Sequence, residues 1–159
     1  MNTSIGSTLY TFRAATTADL PALKFVDPLL RADPDRAGIV HSAVQAGGCL
    51  VAQDSDGVLG YLLNGDLLGH RFISLLVVAV GSRRQGVGQA LLDEACRRCD
   101  RPKLFISCNR SNIAAQCLFE KCGFERSGQI YNLDEEDPEL VYYKKVAAQS
   151  APRFENLKP

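Results

Sequence analysis

The chain has 159 residues, 46% apolar and 23% charged, a length that can bury roughly 70% of its unfolded surface without disulfide or metal staples. Gly at 13 and Pro at 7 are close to average usage, which excludes a collagen-like, low-complexity or wholly disordered chain. Lys and Arg number 18 against 18 Asp and Glu, so the basic excess with which nucleic-acid binders neutralise phosphates is missing, and nucleic acid is not an expected partner.

In chain order, the first residues, MNTSIGSTLYTFRAA, carry no basic n-region and no apolar h-region ahead of a small-residue cleavage site. No secretory signal is expected, and a cytoplasmic, reducing setting follows. The six cysteines are then read as thiols. A strand is predicted near residues 9–13, followed by helical segments near 17–30 and 34–46. Residues 49–53 and 58–63 read as strands flanking Asp54-Ser55-Asp56-Gly57, a hairpin signal of the Asp-Gly kind. The longest apolar stretch, residues 72–80 interrupted once by Ser74, falls well short of the ~20 residues that span a bilayer, and no membrane association is expected. It reads instead as a central strand buried on both faces.

Residues 87–99 turn helical, with Val87, Leu91, Leu92, Ala95, Cys96 and Cys99 on one side. On the other side, Asp93 with Arg97 and Glu94 with Arg98 form i,i+4 pairs in the favourable order, acid first. Cys96-x-x-Cys99 has no second CxxC and no histidine pair at ligand spacing, so both are read as core thiols and no metal is expected. Residues 103–108 form the next predicted strand, and Ser111 is a candidate N-cap for a helix that ends at Cys122 with Gly123 as its stop. Strands at 125–130 and 140–146 flank an acidic loop. Its segment Asp134-Glu135-Glu136-Asp137-Pro138-Glu139 reads either as solvated surface or as an attractor for a cationic acceptor. Residues 147–159 read as a surface tail. The order β, α, α, β, β, β, α, β, α, β, β describes a single α/β domain over residues 1–146. Its sheet is mixed and mostly antiparallel, with one parallel βαβ unit and flanking helices.

The most informative segment is VVAVGSRRQGVGQALL, in which a strand runs through Arg83-Arg84-Gln85-Gly86-Val87-Gly88 directly into an amphipathic helix. Glycines let backbone N–H groups approach a ligand closely, and a helix start adds unsatisfied donors and the positive end of the macrodipole, so this is an anion site. A Walker A loop would continue with Lys and then Ser or Thr after Gly86, but Val87-Gly88 stand there. A dinucleotide fingerprint would place a small residue where Leu91 stands. What remains, R-x-x-G-x-G, resembles the pyrophosphate loop of the GNAT superfamily of acyl-CoA-dependent N-acyltransferases. The segment Asn112-x-x-Ala115-x-x-Leu118-Phe119-Glu120-Lys121-Cys122-Gly123-Phe124 resembles the same family's N-x-x-A-x-x-L-Y-E-K-x-G-F stretch, and the element order agrees over residues 9–146.

The resemblance implies the GNAT fold, acetyl-CoA as co-substrate, and a small-molecule or protein amine as acceptor. It implies that amides of Arg83, Arg84, Gln85, Gly86, Val87 and Gly88 bind the pyrophosphate while Val78 and Val80 frame the pantetheine arm. Asn112, with Ala115 and Phe119 on its helix, would contact the cofactor as well. The backbone of Leu76, Val77 and Val78 would supply the donor for the developing oxyanion. Many members place Tyr where this chain has Phe119, and a phenyl ring cannot donate a proton. Solvent or one of Tyr131, Tyr142 and Tyr143 is the substitute candidate for the acid, with Tyr131 the first choice. No Glu occupies the strand where the family often keeps a water-activating carboxylate, which leaves Ser74, or His70 at the strand start, as the nearest polar group. Two rival functions follow from those departures: a non-catalytic acyl-CoA-binding module, and a toxin-like enzyme acting on aminoacyl-tRNA. Homodimers are common in the family.

Overall fold

The computed structural model describes residues 9–147; most of the predicted tail lies outside the described residues. Seven strands, β1 (Thr11–Ala14), β2 (Cys49–Asp54), β3 (Gly57–Leu67), β4 (His70–Val78), β5 (Lys103–Asn109), β6 (Glu125–Ile130) and β7 (Glu139–Lys145), form one sheet in the order β1-β2-β3-β4-β5-β7-β6. The pairs β1·β2, β2·β3, β5·β7 and β6·β7 are antiparallel. The β4·β5 pair is parallel, in register from Arg71 opposite Leu104 to Ile73 opposite Ile106. Among the described residues, five α-helices accompany them: α1 (Leu20–Val26), α2 (Leu29–Ala32), α3 (Pro34–Gln45), α4 (Val87–Arg98) and α5 (Ile113–Lys121). This is the mixed α/β architecture expected from the element order.

Several boundaries differ from the sequence expectation, each for a local reason. The helix expected over residues 17–30 is broken into a 3-10 turn, Thr17–Asp19, then α1 and α2. The break falls at Asp27, which Pro28 drives out of the helical region to φ −124°, ψ 89°. Strand β3 runs on to Leu67, through polar Asn64 and Asp66, and turns at Leu68 and Gly69 into β4. Strand β4 stops at Val78, and Val80–Ser82 form a 3-10 turn. The cap of α5 is Asn112, not Ser111, because the Asn112 side chain accepts the Ala115 amide at 3.1 Å. Nor is β4 buried on both faces: Ile73 is buried, Ser74 is exposed, and the remaining positions are half-buried. Among the described residues no helix is long and apolar enough to cross a membrane.

The chain divides into two compact units, one of residues up to Leu63 with Leu75–Leu91, the other of Asn64–Ser74 with the residues from Leu92 onward. The first unit buries Leu23, Val26, Leu30, Val40, Val44, Cys49, Val51, Tyr61 and Leu63 together. Each such aliphatic or aromatic side chain contributes about 1.5–3 kcal/mol of transfer free energy. Asp27, 2% exposed, is the buried charge among the described residues, and its partners explain why it is tolerated. Tyr61 Oη donates to its Oδ2 at 2.7 Å, Arg36 Nε donates to the same oxygen at 2.9 Å, and the Leu29 amide donates to Oδ1 at 3.2 Å. The residue that breaks the first helix therefore also ties α2 and α3 to β3.

In the second unit, β5 alternates strictly, burying Leu104, Ile106 and Cys108. The Phe119 ring of α5 meets Tyr142 of β7 edge-on at 5.4 Å and Phe124 at 6.3 Å. Lys144 Nζ closes the end of α5 by donating to the Cys122 carbonyl at 2.7 Å. On α4, Glu94 pairs with Arg98 as expected, at 2.5 Å, and also takes Arg97 at 2.6 Å.

Candidate functional site

The loop between β4 and α4 belongs to the first unit, and its shape follows from where its carbonyls go. Ser82 N bonds the Ala79 carbonyl at 2.8 Å, closing the 3-10 turn, while the Ala79 amide is anchored on Leu59 O at 2.8 Å. Arg83 turns its Nε back onto Val78 O at 3.3 Å, and Gln85 Nε2 donates to Gly81 O at 3.1 Å. Tyr10, brought from 75 residues away, donates its phenol to Gln85 O at 2.6 Å. The carbonyls of Val78, Gly81 and Gln85 are thus engaged by side chains of the protein itself. The first amides of α4 have no acceptor within the helix, as at any helix start.

Backbone conformation completes the loop. Arg84 at φ 60° and Gly86 at φ 82° both lie in the left-handed region. For Gly86 this is free, whereas for Arg84 it costs about 1–2 kcal/mol and needs the surrounding bonds to hold it. Arg83, Arg84, Gln85 and Gly86 are exposed, Gly88 is half-buried, and Val87, 1% exposed, pins the helix start into the core. Gly60 on β3 makes that seating possible. A Cβ there would stand 2.8 Å from Val77 O and 3.3 Å from both Val87 and Leu91 side chains. Neither Tyr10 nor Gly60 was singled out in the sequence. Gly60 was detectable as a lone glycine inside a strand pattern, a mark of close backbone approach, whereas nothing local marks Tyr10.

Leu76, Val77 and Val78 lie half-buried on β4, and Val80 follows at 71% exposure in the 3-10 turn. Ser74 is exposed on β4. His70, at the start of the same strand, packs its ring 5.4 Å from Phe105.

In the second unit, Asn112, Ala115 and Phe119 sit on one element. Asn112 is exposed but its side chain is spent on the Ala115 amide; Ala115 is half-buried; Phe119, 2% exposed, is sealed in the core. The acidic loop meets the β5–α5 connection. Asp137 accepts the Ser111 amide at 3.0 Å and the Ser111 hydroxyl at 2.5 Å, and Asp134 accepts Asn109 Nδ2 at 2.7 Å. The Ser111 hydrogen bond holds the Asp137 carboxyl below the usual range. Two acids of the loop are therefore a clasp that positions the start of α5. Tyr131, 58% exposed, follows β6, and its hydroxyl accepts from Gln129 Nε2.

Four of the six thiols are poorly suited to nucleophilic chemistry. Burial pushes Cys49 up to about 12 and Cys96 and Cys108 to about 11, and raises Cys122 as well. All four are protonated at neutral pH, and the thiolate is the nucleophile. Among the described residues no group of three His, Cys, Asp or Glu side chains is arranged to hold a metal ion.

Fold, loop and flanking strand define an acyltransferase of the GNAT class, and residues 45–126 match the acetyltransferase (GNAT) domain, so the chain belongs to that family. An acetyltransferase of the GNAT family from Bacillus cereus superposes with a TM-score of 0.81 at 28% identity, over 87% of this chain and 99% of that one. Ard1 from Thermoplasma volcanium superposes at 0.72 with 18% identity, over 87% and 98% of the two chains. The Salmonella typhimurium protein yncA, solved with its cofactor acetyl-CoA, gives 0.67 at 20% identity over 91% and 98%.

Proposed function

We propose that the protein is an N-acetyltransferase that moves an acetyl group from acetyl-CoA to the amine of a small molecule or protein by direct attack. The observation that carries this reading is the β4–α4 loop, whose carbonyls are tied back at Val78, Gly81 and Gln85 and whose residues Arg84 and Gly86 turn through the left-handed region. That is a cradle for a diphosphate built from backbone amides. The likeness to yncA supports acetyl-CoA as the molecule that brings it.

Bound acetyl-CoA supplies an acetyl group activated as a thioester. In this reading, amides of residues 83–88 hold the pyrophosphate, Val78 and Val80 frame the pantetheine arm, and a backbone amide among Leu76, Val77 and Val78 donates to the thioester oxygen as charge develops there. In the second unit, Phe119 acts from the core by holding α5 in place, and cofactor contacts by Asn112 and Ala115 are what the family resemblance implies. An acceptor amine with a pKa near ~10 must lose a proton before it attacks, and Ser74 or solvent is the relay on this chain. Tyr131 is the donor proposed for the departing sulfur. The raised pKa values of Cys49, Cys96, Cys108 and Cys122 argue against a covalent acetyl stage on those four thiols.

The alternative of a non-catalytic acyl-CoA-binding module rests on Phe119, a side chain without an acidic proton, buried where many relatives of the family place Tyr. Incubating the protein with acetyl-CoA and a panel of primary amines, read by release of free CoA thiol, separates the two. Amine-dependent thiol release that falls about a hundredfold in Tyr131→Phe supports the full assignment. Tight CoA binding with no thiol release above buffer supports the binding module.

A further inference from the structure

Tyr10 lies outside the family-matched region and just ahead of β1, yet its phenol reaches the β4–α4 loop across 75 residues of sequence, 2.6 Å from the carbonyl of Gln85. We infer that Tyr10 is a positioning residue for diphosphate binding: by holding the Gln85 carbonyl it aims the Gly86 amide at the ligand. The inference rests on the cofactor reading above. Its geometry is that of a single peptide plane, since in a trans amide the carbonyl of Gln85 and the N–H of Gly86 point in opposite directions. A donor that fixes one fixes the other.

The alternative role for this bond is simple satisfaction of a polar atom, and the exposure of the loop argues against it. Arg83, Arg84, Gln85 and Gly86 are exposed, so water could satisfy the Gln85 carbonyl without help from a residue 75 positions earlier. What water could not do is choose an orientation. The peptide following Gln85 is flanked by Gly86 at φ 82°, the residue type freest to rotate, and the loop also contains Arg84 at φ 60°, a conformation a side chain disfavours. A loop with both features relaxes unless something external holds it. Tyr10 is held in turn by the strand it precedes, because Thr11 pairs with Gln53 and the β1·β2 ladder continues to Ala14 opposite Leu50.

The test is Tyr10→Phe, which removes one oxygen and keeps the ring. CoA affinity is measured by calorimetry, global stability by thermal unfolding, and loop order by the amide NMR signals of the unliganded protein. The expected result is a CoA dissociation constant raised about tenfold, the 1.4 kcal/mol equivalent of one oriented donor. The unfolding midpoint should be unchanged, and resonance shifts should be confined to residues 83–88 and the neighbourhood of Tyr10. Unchanged CoA affinity in the folded variant overturns the inference alone. Shifts spread through β1 and α4 with a lowered midpoint assign Tyr10 to structure and overturn it as well. A wild-type protein that binds no CoA overturns the cofactor reading and this inference with it.

Discussion

Two exposed connections, the β4–α4 loop and the acidic loop before β7, stand out equally in the sequence, one for glycines and arginines, the other for carboxylates. They are built in opposite ways. In the β4–α4 loop the backbone is engaged, with the Gln85, Gly81 and Val78 carbonyls accepting from Tyr10, Gln85 and Arg83, and the loop turns through left-handed residues into a helix start. In the acidic loop the side chains are engaged, with Asp137 accepting from Ser111 and Asp134 from Asn109. Charge on a loop thus says little about ligands until the partner of each charge is known, whereas glycine at a helix start constrains the backbone itself.

The largest expected effect lies beneath the first loop. Gly60→Ala places a methyl 2.8 Å from Val77 O, and backbone cannot yield as a side-chain tip can. A loss of about 1–3 kcal/mol is expected from denaturant unfolding, together with weakened CoA binding, because Val87 and the loop it anchors must move. An unchanged unfolding midpoint would break the link between β3 and the loop.

Acid stability gives the next effect. The Arg13 guanidinium, bonded at 2.7 Å, holds Asp19 at about 2, and Arg97 with Arg98 holds Glu94 at about 2. Both folded values lie below the ordinary carboxylate range of about 4, so these contributions are complete above that range and are lost as pH falls from about 4 through 2. In Arg13→Ala the stability measured across that window should fall less steeply, by nearly one proton. An unaltered slope would show that Asp19 is not linked to folding through Arg13.

The smallest effect belongs to the acidic loop. Asp137→Asn should leave the global unfolding midpoint in place while the Ser111 amide, now facing a weaker acceptor, exchanges with solvent several-fold faster. Exchange at the wild-type rate would remove the clasp from the account.

The distribution of these effects explains what was legible in the sequence. The element order and the R-x-x-G-x-G loop could be read because they depend on periodicity and on residue types with special backbone freedom. The break at Asp27 carried a local signal, the proline after it, which was outweighed by apolar periodicity across residues 17–30. The extension of β3 through Asn64 and Asp66 was hidden by polar residues at strand positions. Contacts between distant segments left no trace: Tyr10 with Gln85, and Asp137 with Ser111, each depend on topology that no window of sequence contains. The N-cap was misplaced by one position because Ser111 and Asn112 are both good caps, and Asp137 had engaged the serine.

The central claim is that the backbone of the β4–α4 loop binds the diphosphate of CoA, and a calorimetric titration of CoA into wild-type protein and Gly86→Val tests it most directly. A Cβ at Gly86 meets nothing within 4 Å, so the variant should fold, while valine at φ 82° forces the loop to reshape. The account predicts saturable binding to the wild type and a loss of at least about a hundredfold in the folded variant, equivalent to roughly 2.7 kcal/mol. Equal affinity of both proteins for CoA would contradict it.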